Sequence, residues 1–175
     1  MNITINKIVN IFQINESKVA NHLYSKGFGT IKASTSSKNN EQILILDPLE
    51  VLYIFSHKKH VSLENFNIKN STQFLSEFSI PYYQYLVYED LIKKGYFVKQ
   101  ALKFGADFRI YDKNTQIDTS PHATHLVIVC DNSKQFSSEE LFSMNRVAHS
   151  TRKKILLAFV DYELSITYIE QSRWK

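Results

Sequence analysis

From Pro81 onward the hydrophobic positions change period several times within short distances, and the changes predict an α/β unit. Pro81 opens a segment in which Tyr85, Leu86, Tyr88, Leu91 and Ile92 recur at helical spacing. Lys93-Lys94 supply a basic last turn and Gly95 the stop. Three strand-like runs follow, at 96–101, 106–111 and 124–130. Ser137 with Glu140 forms a capping box for a helix that runs to about Thr151. The mostly apolar run 155–160 predicts a strand buried on both faces, and 166–169 a final edge strand.

Before Pro81 the periodicity is weaker. Ile3, Ile5, Ile8, Val9, Ile11 and Phe12 suggest one or two short strands. Asn15-Glu16-Ser17 resembles a helix start, with Val19, Ala20, Leu23 and Tyr24 as its apolar stripe and Lys26-Gly27 as its end. Residues 34–41 have the composition of a mobile surface loop. Ile43 to Leu46 fits a short strand or the lead-in to a helix, and Pro48 suits the N-terminus of a helix over 49–55. His57-Lys58-Lys59-His60 fits a solvated helix cap, and 62–66 and 72–78 are expected to be short helices. A boundary at Ser79-Ile80-Pro81 then divides the chain into a small α+β domain, 1–80, and an α/β domain with a central mixed sheet, 81–175.

Composition excludes some classes. With 43% hydrophobic and 13% aromatic residues in 175, there is ample material for packed cores, and four Gly and three Pro argue against a fibrous or loop-dominated protein. The net charge of +4 is compatible with a polyanionic partner. Cys130 is the only cysteine, so no internal disulfide or multi-cysteine zinc site exists, and a buried strand position is its expected place. No N-terminal signal pattern occurs and no apolar run approaches the ~20 residues that span a bilayer. A cytoplasmic protein with no membrane partner is the expectation.

The candidate chemistry lies in 103–127. After a turn at Gly105, alternation puts Phe108 and Ile110 on one strand face and Arg109 and Tyr111 on the other. Ser120-Pro121-His122 then precedes the next strand, and Arg152-Lys153-Lys154 comes later. RNA is cut without metal when its own 2′-OH attacks the adjacent phosphorus. That reaction needs a base for the 2′-OH proton, an acid for the departing 5′-oxygen, and a cation beside the transition state. An imidazole, with an ordinary pKa of about 6.5, suits the acid, and a lysine supplies the point charge. A phenol, ordinarily near 10, serves as base only with cations nearby, for which Arg152, Lys153 and Lys154 are candidates. Taken singly, each residue has a commoner structural role: a tyrosine as a core ring, a histidine as a polar loop residue, a lysine as a helix-end cation.

The surrounding blocks change that weighting. Tyr85-Leu86-Val87-Tyr88-Glu89-Asp90-Leu91, Lys94-Gly95-Tyr96-Phe97-Val98-Lys99 and the run from Lys103 to Tyr111 occur in order. His122 with Leu126-Val127, Arg146-Val147-Ala148-His149-Ser150, Arg152-Lys153-Lys154 and Ala158-Phe159-Val160-Asp161 follow. This half resembles the catalytic domain of the archaeal tRNA-splicing endonucleases. A looser likeness continues through Leu23 to Gly29 and Leu49 to Tyr53. The resemblance implies cleavage of precursor tRNA at bulge-helix-bulge elements, leaving 2′,3′-cyclic phosphate and 5′-hydroxyl ends, with no metal or other cofactor. It implies Tyr111 as general base, His122 as general acid and Lys153 as transition-state stabiliser. Arg146 matches a position where the family uses arginine to hold an extruded base; Arg173 and Trp174 are candidates to join it, and His149 is expected to be structural. His125 competes with His122, and Lys154 with Lys153, although the position directly after Arg152 favours Lys153.

Assembly as a homotetramer, or as a heterotetramer with a non-catalytic subunit, is also implied. Some members dock through an acidic loop, whereas Asp131-Asn132-Ser133-Lys134-Gln135 here has one acid and a lysine. That weakens the case for self-docking. Two rival functions are a non-catalytic RNA-binding or assembly subunit of the same complex, and a metal-dependent DNA nuclease using Asp107 and Lys153. The intact triad types count against the first. The lack of a convincing acidic pair at matching strand positions counts against the second.

Overall fold

The computed structural model describes residues 2–33, 42–112 and 122–171. It divides into two compact units, Met1–Pro81 and Tyr82–Lys175. The expected loop at 34–41 lies outside the described residues.

The first unit is built on a five-stranded mixed sheet in the order β3-β4-β2-β1-β5. The strands are β1 Ile3–Ile8, β2 Ile11–Ile14, β3 Thr30–Ala33, β4 Gln42–Leu46 and β5 Val61–Glu64, with helices α1 Ser17–Ser25, α2 Pro48–His57 and α3 Ser71–Glu77. Helix α1 buries Val19, Ala20 and Leu23, the stripe expected of it. Pro48 is at the start of α2, and Glu50 completes a capping box with Asp47. Glu50 is 2% exposed, and its carboxylate accepts from the Gly29 and Asp47 N–H groups, both at 2.9 Å. Gly29 has φ +68°, and a Cβ there would lie 2.5 Å from Leu44 Cδ1, so glycine alone fits the turn that Glu50 anchors.

One expectation fails in this unit. Residues 62–66 do not form a helix: Ser62, Leu63 and Glu64 belong to β5, parallel to β1 with Ile3 opposite Val61 and Ile5 opposite Leu63. The short run satisfies a period of two as well as a helical start, and pairing with β1 supplies backbone partners that a one-turn helix lacks. Thr30–Ala33, for which no element is expected from the sequence, is the edge strand β3 beside β4.

The second unit has the predicted order of helix, three strands, helix and two strands. It comprises α4 Tyr82–Lys93, β6 Phe97–Gln100, a 3-10 turn Leu102–Phe104, β7 Phe108–Tyr111, β8 His125–Cys130, α5 Ser138–Ser150, β9 Lys154–Val160 and β10 Ile166–Gln171. The sheet order is β10-β9-β8-β7-β6. Only β8 and β9 pair in parallel, joined through α5; the other neighbours are antiparallel. The fold is thus mixed α/β with central mixed sheets. Under α5, Leu126, Ile128, Cys130, Ile155 and Leu157 pack with Ala148. On the opposite face the Tyr88 ring of α4 lies 5.7 Å from that of Phe108, and Tyr168 of β10 donates to Asp90 Oδ2 at 2.6 Å.

Candidate active site

The strand register assembles the candidate residues at one end of the second sheet. Because β7 runs antiparallel to β8, and β8 parallel to β9, the end of β7 adjoins the starts of both later strands. Ile110 is opposite His125, and His125 opposite Lys154. The Thr124 N–H donates to the Ile110 carbonyl at 2.9 Å, and the Lys154 N–H to the Thr124 carbonyl at 3.0 Å. Tyr111, the lead-in from His122 to Thr124, and Lys153 therefore stand at the same end of three adjacent strands.

Alternation separates the competing lysines. Arg109 is opposite Leu126, and Leu126 opposite Ile155, so these share the face covered by α5. Tyr111, two residues beyond Arg109, and Lys153, two before Ile155, belong to that face. Lys153 Nζ accordingly lies 5.5 Å from the ring centre of Phe104, which packs against the cluster beneath α5. It also donates to the Thr151 carbonyl at 2.9 Å.

The position of Lys153 is set by how α5 ends. After the cap residue Thr151, Arg152 adopts a left-handed conformation with φ +54°. The Lys153 N–H returns to the Ala148 carbonyl at 2.8 Å, and the Arg152 N–H to that of His149 at 3.1 Å. This is a Schellman ending, here without its usual glycine. A left-handed arginine carries a cost of about 1 kcal/mol. That makes the bend a deliberate feature of the helix-to-strand passage.

His125 and Lys154 occupy the other face and are committed elsewhere. His125 Nδ1 lies 2.9 Å from Thr124 Oγ1, and its Nε2 lies 3.0 Å from Glu170 Oε2. Lys154 Nζ donates to both Glu170 oxygens, at 3.0 and 3.2 Å. The hydrogen bond from His125, and then that from Lys154, holds the Glu170 carboxyl below the usual carboxylate range. His122, by contrast, is exposed. The Ser120-Pro121 dipeptide before it lies outside the described residues.

Arg146 lies on α5 together with Phe142, Asn145, His149 and Ser150 along a surface depression of about 520 Å³. Phe142 is 72% exposed and was not singled out by sequence; its spacing of four residues from Arg146 was the available signal. His149, expected to be structural, lines the same depression. Arg173 and Trp174 lie outside the described residues.

The fold gives Arg109 and Asp107 definite partners. Arg109 Cζ is 5.9 Å from the ring centre of Tyr111, which makes it a cationic neighbour of that phenol besides the candidates Arg152, Lys153 and Lys154. Asp107 is a brace: its carboxylate accepts from the Val129 N–H at 2.8 Å and from Gln84 Nε2 at 3.0 Å. Burial raises its pKa, with those two hydrogen bonds opposing the rise. These bonds tie Asp107 to β8 and α4, and among the described residues no three His, Cys, Asp or Glu side chains group as ligands. Cys130 is buried, and burial pushes its thiol up to about 11, as suits a packed strand residue.

Comparison with known proteins gives one consistent result. Residues 82–168 match the family model described as tRNA intron endonuclease, catalytic C-terminal domain. A protein of Sulfurisphaera tokodaii named tRNA-splicing endonuclease is 36% identical over 148 residues, covering 79% of this chain and 77% of its own length. Proteins of the same name from Saccharolobus islandicus and Sulfolobus acidocaldarius are each 35% identical, over 162 and 166 residues. Those alignments cover 85% of both chains in the first case, and 89% of this chain and 90% of the relative in the second.

Proposed function

The chain belongs to the tRNA-splicing endonuclease family, an endoribonuclease that removes introns from precursor tRNA, and from that premise we propose a metal-independent cleavage of bulge-helix-bulge RNA by Tyr111, His122 and Lys153. In this reading the Tyr111 oxygen takes the proton of the 2′-OH at the cleavage site. The 2′-oxygen attacks the neighbouring phosphorus in line, the bond from phosphorus to the 5′-oxygen breaks, and His122 gives its proton to that oxygen. The Lys153 ammonium lies beside the phosphate oxygens as they gain charge. The products are a 2′,3′-cyclic phosphate and a 5′-hydroxyl, and no water or metal enters the balance. Arg146 holds an extruded bulge base, with the Phe142 ring beside it.

What supports these roles is the meeting of the ends of β7, β8 and β9, with Lys153 on the Tyr111 face and Lys154 tied to Glu170 on the other. In a cleavage assay with a bulge-helix-bulge RNA and excess EDTA, the expected outcome is full cleavage and a cyclic phosphate on the upstream product. Loss of cleavage in EDTA, restored by magnesium, overturns the mechanism.

For assembly we favour a heterotetramer with a non-catalytic subunit over a homotetramer. In the loop after β8, Asp131 Oδ1 accepts from the Ser133 N–H and hydroxyl at 3.0 and 2.7 Å, and Lys134 pairs with Glu140 at 3.1 Å. Such a loop presents little free negative charge for docking. Light scattering on the chain alone is expected to give a mass below four copies of 20.4 kDa. A stable particle of four copies decides for the homotetramer.

A further inference from the structure

Beside the proposed catalytic groups, Gln100, Leu102, Lys103, Phe104 and Arg109 enclose an open recess of about 280 Å³. The chain builds it by an abrupt turn. Ala101 is buried and its N–H is held by the Asp107 carbonyl at 3.1 Å, so the link from β6 to β7 has little length to spare. It closes through the 3-10 turn, capped by Gly105 in the left-handed region at φ +67°. The turn leaves Leu102 76% exposed and Lys103 exposed at the rim, while Phe104 packs inward. Arg109 stands between Lys99 of β6 and Leu126 of β8, and its buried Nε has no hydrogen-bond partner.

Two members of this wall touch the proposed catalytic groups. Phe104 lies beneath Lys153 Nζ at 5.5 Å, and Arg109 beside the Tyr111 ring at 5.9 Å. The lining offers two cations and an amide, with no carboxylate. An arginine and a lysine facing one recess with no acid beside them suit the oxygens of a phosphate. We propose that the recess is a subsite for the RNA strand next to the cleavage point, in which Arg109 and Lys103 hold one phosphate flanking the scissile one. Leu102 and Phe104 give the attached nucleotide an apolar edge. The assignment rests on the catalytic reading above, since that reading puts the scissile phosphate between Tyr111 and Lys153.

The test is a binding cycle on RNA that cannot be cut. A bulge-helix-bulge RNA with a 2′-deoxy cleavage site carries a single neutral methylphosphonate, moved along the positions flanking that site, and Kd is measured by fluorescence anisotropy. With wild-type protein, one flanking position is expected to weaken binding roughly fivefold. Lys103→Ala, at an exposed turn position, is expected to weaken the unmodified RNA by a similar factor and to lose the methylphosphonate penalty at that position alone. Arg109→Gln, checked for an unchanged melting temperature, loses the penalty at the same position. Penalties that remain equal in wild type and Lys103→Ala at every position, or no penalty anywhere, overturn the subsite. Loss of cleavage of the unmodified RNA in EDTA, restored by magnesium, overturns the catalytic reading instead, and is scored separately.

Discussion

A precursor RNA with a single 2′-deoxyribose at the cleavage site is expected to bind normally and to stay intact. The nucleophile of the proposed reaction belongs to the substrate, so removing one oxygen removes the attacking atom while leaving every phosphate and base in place. Phosphate contacts dominate RNA affinity, and Kd should change by no more than about twofold. No product should form in the time that completely cuts the all-ribose RNA, with or without magnesium. Equal cleavage of the deoxy RNA would mean that water or hydroxide attacks, and Tyr111 would lose its assigned proton.

The second large effect separates two histidines and two lysines that lie side by side in sequence. His122→Ala is expected to lower kcat by about 10²- to 10⁴-fold, the usual worth of a positioned general acid. Lys153→Ala is expected to cost on the order of 10²-fold or more through the lost transition-state charge. His125→Ala and Lys154→Ala should keep activity within a few-fold, because both side chains serve Glu170 on the opposite face. Their effect is on stability, and its pH dependence has a sign. The Glu170 carboxyl titrates lower in the folded chain than its ordinary value of 4.5, so the paired carboxylate stabilises the fold above that pH. That contribution is lost as pH falls through the folded value. Melting differences between wild type and His125→Ala should therefore shrink as the pH falls below about 4.5. An activity loss in His125→Ala equal to that of His122→Ala would reverse the assignment of the acid.

The two halves differ in how much their residues disclose. In the second unit, Gly95 and the Ser137–Glu140 box mark helix boundaries by local chemistry, and the apolar β9 has no rival reading. The unit's short strands β6 and β7 are flanked by the Gly95 and Gly105 stops, which mark them locally even at four residues. In the first unit, Val61–Glu64 is four residues long, and its state depends on β1, nearly sixty residues earlier. No window around Ser62 contains that information. The candidate site divides in the same way. Residue types and order point to Tyr111, His122 and, directly after Arg152, Lys153; what no sequence window contains is the pairing of Lys154 with Glu170, which the register of β9 and β10 brings about. Asp107 shows the opposite failure: a lone acid beside a basic motif invites a catalytic reading, and only the fold reveals Val129 and Gln84 as its partners.

The left-handed Arg152 at the end of α5 has a mechanical consequence. By fastening Lys153 to the last turn through the Ala148 carbonyl, it makes the lysine a rigid extension of the helix that carries Arg146. Arg146 lies four residues before the last helical residue, Ser150, roughly 6 Å along the axis, and the ending fixes Lys153 just beyond it. A helix does not stretch, so Arg146 and Lys153 move as the two points of one calliper. Under the proposed roles, an RNA whose bulged base and scissile phosphate are spaced differently can satisfy one point but not both. The enzyme would then measure its substrate by a fixed length, without reading its bases.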